Sequence, residues 1–179
     1  MIESSFIPKQ PLTSIIDNTS DNKLVLSRIL SHYSLNGAWN KRTRILDCTN
    51  FYLWTEPDYR AYDITRSHNI KNLKHKSFDI ILFEVPQNKT AAVITIEFIK
   101  EFAELIRDQG AVIVKVKDYH MNNKLYGSYD IHVCFDSCGF VLADQIILKN
   151  PQSYMPAKTN NKIEIIHSYL MIFKKRLDS

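Results

Sequence analysis

The stretch Asp79–Asn88, DIILFEVPQN, constrains the fold of this chain more than any other. Ile80-Ile81-Leu82-Phe83 is apolar without alternation, and this reads as a buried strand. It ends abruptly on Glu84-Val85-Pro86-Gln87, a carboxylate followed closely by a proline. In an α/β protein such a strand end is a common place for chemistry. Glu84 has two readings at this point. It caps the following helix or stays solvated, or it works on a ligand.

The rest of the pattern alternates strands with helices. Thr43–Thr49, Tyr59–Thr65, Ser77–Glu84, Ala111–Asp118, Phe140–Leu148 and Ile165–Lys175 read as strands. Asp21–Tyr33 reads as a helix with Asp21 as its N-cap, and Thr90–Gly110 as a long amphipathic helix. The buried stripe of the latter is Val93, Ile94, Phe98, Phe102, Leu105 and Ile106, and Gly110 is its stop. Ser128–Gly139 reads as a further helix. Residues 1–20, with two prolines, read as an irregular arm, and 21–179 as a single domain. The alternation predicts an α/β, Rossmann-like three-layer sandwich with a mainly parallel sheet. Only a loop joins the last two strands, so the final strand runs antiparallel. Ligands of such sheets lie beyond the carboxyl ends of the strands, which brings forward Asp47-Cys48-Thr49, Asp63 and Glu84-Val85-Pro86-Gln87.

Composition narrows the partners. A net charge of +4 permits a nucleic-acid partner without requiring one. The three cysteines, Cys48, Cys134 and Cys138, do not make a disulfide framework and suit a reducing cytoplasm. Cys134 and Cys138 read as small buried side chains, and the histidines form no metal-ligand cluster, so no metal is expected. No apolar run reaches membrane-span length and no secretion signal is evident, so a cytoplasmic location is expected. Lys115, Lys117 and Lys149 read either as the lining of a nucleic-acid channel or as solvated strand ends. Tyr119, His120, Tyr126 and Tyr129 read either as base-stacking aromatics or as loop anchors.

Several stretches together resemble class I S-adenosylmethionine-dependent methyltransferases, most closely the DNA amino-methyltransferases of adenine N6 and cytosine N4. RILDCT is similar to the family's first strand and AYDIT to its second. KSFDIILFEVP is similar to the strand carrying the catalytic Asp-Pro-Pro-Tyr. QGAVIVKVKD resembles the strand after the carrier helix, and GFVLADQIILKNPQS with HSYLMIFKK the closing hairpin. The likeness covers roughly residues 24 to 175. It implies S-adenosylmethionine as cofactor, held by Asp47, the Cys48-Thr49-Asn50 loop and Asp63 at the ribose, with Asn69 or Asn72 near the adenine. It implies that Glu84 accepts hydrogen bonds from the target amine with the Val85 carbonyl, on a turn stiffened by Pro86, with Gln87 where the family has an aromatic.

The sequence departs from that family at specific places. The loop DCTNFYLW has no glycine, Glu84 is one methylene longer than aspartate, and Gln87 has no ring to stack on a base. These departures put a second function beside the first. The first is methyl transfer to exocyclic amines of nucleic acid, DNA in preference to RNA. The second is a catalytically inactive member of the same fold that binds nucleic acid or regulates a partner. A third, an RNA ribose methyltransferase using Asp47, Lys115 and Glu84, fits the closing hairpin less well. With 179 residues there is no room for a separate target-recognition domain, so a homo-oligomer or a second methyltransferase subunit is the expected partner.

Overall fold

The apolar run forms strand β4 (Phe78–Glu84), in the middle of a seven-stranded sheet. The computed structural model of the chain describes residues 14–17, 29–30, 32–33, 43–49, 62–67, 70–85, 96–121, 124–149 and 167–176. The other elements are β1 (Ser14–Asp17), β2 (Thr43–Asp47), β3 (Tyr62–Arg66), α1 (Ile96–Leu105), β5 (Ile106–Val116), β6 (Tyr119–Met121), β7 (Lys124–Tyr126), α2 (Ser128–Ser137), β8 (Phe140–Lys149) and β9 (His167–Lys175). The sheet order is β1-β8-β9-β5-β4-β2-β3. Neighbours pair in parallel except at β9, which is antiparallel to both β5 and β8. This is the mainly parallel α/β sandwich with a reversed final strand that the element order implies. Strands β6 and β7 form a separate antiparallel hairpin.

Both faces of the central strands are covered. On one face Leu46, Ile81, Phe83, Val112, Val114 and Phe173 pack with Ile99, Phe102 and Leu105 of α1 and Ile131 and Phe135 of α2. On the other face Ile45, Ile80, Leu82, Ile113 and Ile172 pack with the helical residues Ile29, Leu30 and Tyr33. Side chains alternate between faces with period two, so continuous apolar runs are what doubly covered strands require.

Three features differ from the sequence expectation. Within the arm expected to be irregular, Ser14–Asp17 is a strand that pairs in parallel with Ile146–Lys149 and covers the outer ladder of β8. The helix expected to run to Gly110 ends at Leu105. The backbone amides of Lys76 and Ser77 donate to the carbonyls of Glu104 and Leu105 at 2.8 and 2.9 Å, so tertiary hydrogen bonds satisfy its last turn. Gly110 instead lies inside β5, where a Cβ would meet the Asp79 carbonyl oxygen at 2.8 Å. The register jumps here: Phe78 pairs with Ile106, but Ile80 pairs with Ala111. Third, β3 (Tyr62–Arg66) runs one residue beyond its expected end, and residues 59–61 lie outside the described residues.

Asp79 closes the lower end of the sheet. It is fully buried, and its carboxylate accepts the Arg44 amide and the Arg107 guanidinium, each at 2.8 Å. Removing it strands two donors. Asp79→Ala is expected to cost about 3 kcal/mol in urea unfolding. Asp63→Ala breaks only a half-exposed 3.6 Å ion pair with Arg44 and is expected to stay within about 0.5 kcal/mol of the parent.

Candidate functional site

Strand order reverses between β2 and β4. The chain steps from β2 outward to β3, then returns to β4 and proceeds to β5 on the opposite side. The crevice beyond the carboxyl ends at such a reversal is where open α/β sheets hold ligands. Asp47-Cys48-Thr49 flanks it on one side and Glu84-Val85 on the other.

Asp47 ends β2 and is buried. Its Oδ1 accepts the Thr49 amide at 2.9 Å and the Thr49 hydroxyl at 2.6 Å, closing a tight local turn. Its Oδ2 faces Arg66 Nε at 3.6 Å. Arg66 is paired with Asp47 in the parallel ladder, and the Ser67 amide donates to the Asp47 carbonyl at 3.2 Å. Cys48 turns to the opposite face and is buried, with its amide donating to the Leu82 carbonyl at 2.9 Å. Burial, aided by the Asp47 carboxylate, pushes its thiol up to about 12. Cys48 is therefore a packing group and no nucleophile at neutral pH. Cys134 and Cys138 are half-buried rather than enclosed.

Glu84 ends β4, and Lys115 is its ladder neighbour on β5. The Lys115 Nζ stands 3.8 Å from Glu84 Oε1, longer than an ordinary hydrogen bond. Their side chains are 25% and 18% exposed, which matters because charge in that range feels both burial and water. Burial raises the Glu84 carboxyl above its ordinary range, and Lys115 opposes that rise. Burial lowers the Lys115 ammonium, and Glu84 opposes that fall. The Val85 amide donates to the Lys115 carbonyl at 2.9 Å, so backbone pairing continues past the last charged residue.

The alternation of side chains sets these groups on one face. Asp47 follows Ile45, Arg66 follows Ile64, Glu84 follows Leu82 and Lys115 follows Ile113, and all four apolar residues belong to the face covered by Ile29, Leu30 and Tyr33. Two acids and two cations thus share the upper rim.

Asp63 is not with them. It pairs with Arg44 in the ladder, three residues before Asp47, which places it about 10 Å down the sheet. It alternates to the opposite face and bridges Arg44 at 3.6 Å. At the end of β3, where the ribose-binding acid was expected, stands Arg66. Asn50, Asn69, Pro86 and Gln87 lie outside the described residues, as do Phe51 and Tyr52. Sequence reasoning missed Arg66 because the strand was ended one residue too early. It also missed Asp118, whose Oδ1 accepts the Ser128 amide at 2.7 Å at the start of α2. The signal there was Gly127, which has no side chain to cap the helix and whose Cβ would sit 2.7 Å from the Asp118 Cα.

No protein-family model and no curated protein sequence matches the chain. Solved structures do. The chain is similar to the 1,6-didemethyltoxoflavin-N1-methyltransferase of Burkholderia thailandensis, determined with S-adenosylhomocysteine, at 14% identity, covering 83% of this chain and 76% of that one with a TM-score of 0.53. It is similar to the PH0226 protein of Pyrococcus horikoshii at 13% identity, covering 89% and 93% with a TM-score of 0.50. It also aligns with TTHA0409 of Thermus thermophilus, named as a DNA modification methylase, at 13% identity and a TM-score of 0.44. The chain spans about half of that protein, 54% of its length. At these identities the likeness concerns the fold, a Rossmann-like fold shared with methyltransferases.

The buried thiol gives a direct check on the geometry at β2. Buried and held in its thiol form at pH 8, Cys48 is expected to stay silent to an aromatic disulfide reagent in the folded chain. It should react once urea unfolds the protein, giving one more titrated thiol than the native count.

Proposed function

We propose that the switch-point crevice binds S-adenosylmethionine and that the chain methylates exocyclic amines of nucleic acid, DNA in preference to RNA. The observation that carries this reading is the reversal of strand order between β2 and β4, flanked by the Asp47-Cys48-Thr49 turn and by Glu84. The donor set suits the group in part. Asp47 and Glu84 place two carboxylates on one face of the rim, each already faced by a cation, Arg66 or Lys115, so the rim offers acceptors to a polar ligand without a net negative charge. Asp47, Thr49 and Asn50 would hold it, with the Cys48 side chain packed in the core behind the turn and Asn69 near the adenine.

Bound there, the cofactor supplies an electrophilic methyl group. The chain's own residues act on the acceptor. Glu84 and the Val85 carbonyl would accept hydrogen bonds from the exocyclic amine and orient its nitrogen toward the bound cofactor. Glu84 would take the one proton that the amine gives up on transfer. The raised Glu84 carboxylate is a better acceptor for that proton than an ordinary one. Pro86 and Gln87, the next two residues in the chain, complete the proposed catalytic set. A homo-oligomer or a second methyltransferase subunit supplies further contacts to the nucleic acid. Among the described residues, no helix is long and apolar enough to cross a membrane.

One observation favours a second reading, a catalytically inactive protein of this fold that binds nucleic acid or regulates a partner. Arg66 stands at the end of β3, and Asp63 is tied to Arg44 lower down. A guanidinium donates and cannot accept the two ribose hydroxyl protons as a carboxylate does.

Calorimetry with S-adenosylhomocysteine separates the two. The enzyme reading expects one-to-one binding that Asp63→Ala leaves within about twofold, since that acid lies about 10 Å from the rim. Absence of heat at millimolar ligand overturns it and leaves the second reading. Label transfer from S-adenosylmethionine to DNA and RNA oligonucleotides then tests the acceptor.

A further inference from the structure

We propose that Lys115 is a positioning residue that keeps Glu84 ionised and aimed at the methyl-accepting amine; this rests on the methyltransferase reading above. To accept a hydrogen bond from an amine, the Glu84 carboxylate must carry its charge, because a protonated carboxyl presents a donor on one oxygen. Its surroundings work against that charge. Val85 beyond it is buried, as is Leu82, two residues before it on the same face. Burial pushes the carboxyl toward its neutral form, and Lys115 is the cation that counters it.

The geometry suits this task better than a purely structural ion pair. Glu84 and Lys115 are ladder neighbours, and the Val85 amide bonds the Lys115 carbonyl. One stretch of paired backbone therefore fixes both side chains. At 3.8 Å to Oε1 the ammonium counters the burial of the carboxylate first by its charge and then by a long hydrogen-bonding contact. A carboxylate has about four lone-pair sites, so acceptor capacity remains for a substrate amine. As that nitrogen gains the methyl group it loses one proton, which Glu84 takes and passes to water.

The same face also carries Lys117 just past the end of β5, Lys174 of β9 over the Tyr33 ring at 5.3 Å, Asp144 of β8 opposite Ile172, and Tyr62 of β3. Strand β2 contributes Asp47, which is matched by Arg66 of β3 at 3.6 Å. Strand β9 contributes Leu170, the ladder partner of Lys115, and β8 contributes Ile146 and Leu148. The helical residues contribute buried Tyr33 and exposed His32. Lys115 is the cation that stands within ion-pair distance of Glu84 in this set.

The test reads the carboxyl directly. Carbon-13 NMR follows the Glu84 side-chain carboxyl through a pH titration of the full chain, in the parent, Lys115→Met and Lys115→Arg. The Glu84 midpoint is expected to rise by about 1–2 units in Lys115→Met and to return most of the way in Lys115→Arg. The sign follows from losing a nearby positive charge, which favours the protonated carboxyl. The acid limb of methyl transfer to DNA, where rate falls as Glu84 protonates, should move to higher pH by the same amount. Lys115→Gln replaces the Met variant if that one does not fold. An unmoved midpoint overturns the role of Lys115 even when S-adenosylhomocysteine binds. Failure of S-adenosylhomocysteine to bind instead overturns the methyltransferase reading, and with it any catalytic meaning of the pair. A shifted midpoint with no matching shift in the rate profile of an active protein also overturns the proposal.

Discussion

Strands β4 and β5 are covered on both faces, and this single constraint decides where charge can sit. From Ile80 to Phe83 and from Ala111 to Val114, every side chain is buried in one apolar cluster or the other. An unpaired charge there would face a desolvation cost that no nearby water offsets. Charged groups of the central strands are therefore pushed to two rims, one at each end of the sheet. The lower rim holds Asp79 with Arg44 and Arg107. The upper rim holds Asp47 with Arg66 and Glu84 with Lys115.

The two rims are built differently. At the lower one, Asp79 is enclosed and makes short hydrogen bonds, 2.8 Å to a backbone amide and 2.8 Å to a guanidinium. Its acceptor sites are used to tie β2, β4 and the start of β5 together, and Gly110 is needed so that the backbone can approach it. At the upper rim Asp47 is likewise enclosed and bonded to Thr49, and it is the Glu84–Lys115 pair that is long, 3.8 Å, with both partners keeping some contact with water. Short, enclosed bonds stabilise a fold, whereas longer, half-buried ones leave the groups able to change partner or protonation. The upper rim also coincides with the reversal of strand order, so geometry and charge point to the same end of the sheet.

Much of this was legible in the sequence. Continuous apolar runs gave the buried strands, the missing helix between the last two strands gave the antiparallel closure, and the strand end at Glu84 was placed to the residue. What could not be read were features set by contacts distant in the chain. The end of α1 depends on the amides of Lys76 and Ser77, about thirty residues upstream, so a glycine signal at Gly110 misled. The short strand Ser14–Asp17 is fixed by an open ladder on β8 and not by its own composition. Asp63 lies three residues before the end of β3, and Arg66 stands at that end, one residue past the expected stop at Thr65.

The pairing of Glu84 with Lys115 also bears on why a charge persists at this strand end. Half-buried ion pairs give little stability, since the attraction is offset by the cost of removing both groups from water. A Leu–Met or Val–Leu pair at these ladder positions would pack against Ile113, Leu82 and Leu170 and would be expected to fold at least as well. Stability alone does not account for the pair. At the lower rim the case is different, because Asp79 satisfies the Arg44 amide, which would otherwise lack an acceptor at that position. The acid at the lower rim is thus explained by the backbone it serves. The acid at the upper rim faces a cation on the neighbouring strand, beside the reversal of strand order where open α/β sheets hold ligands.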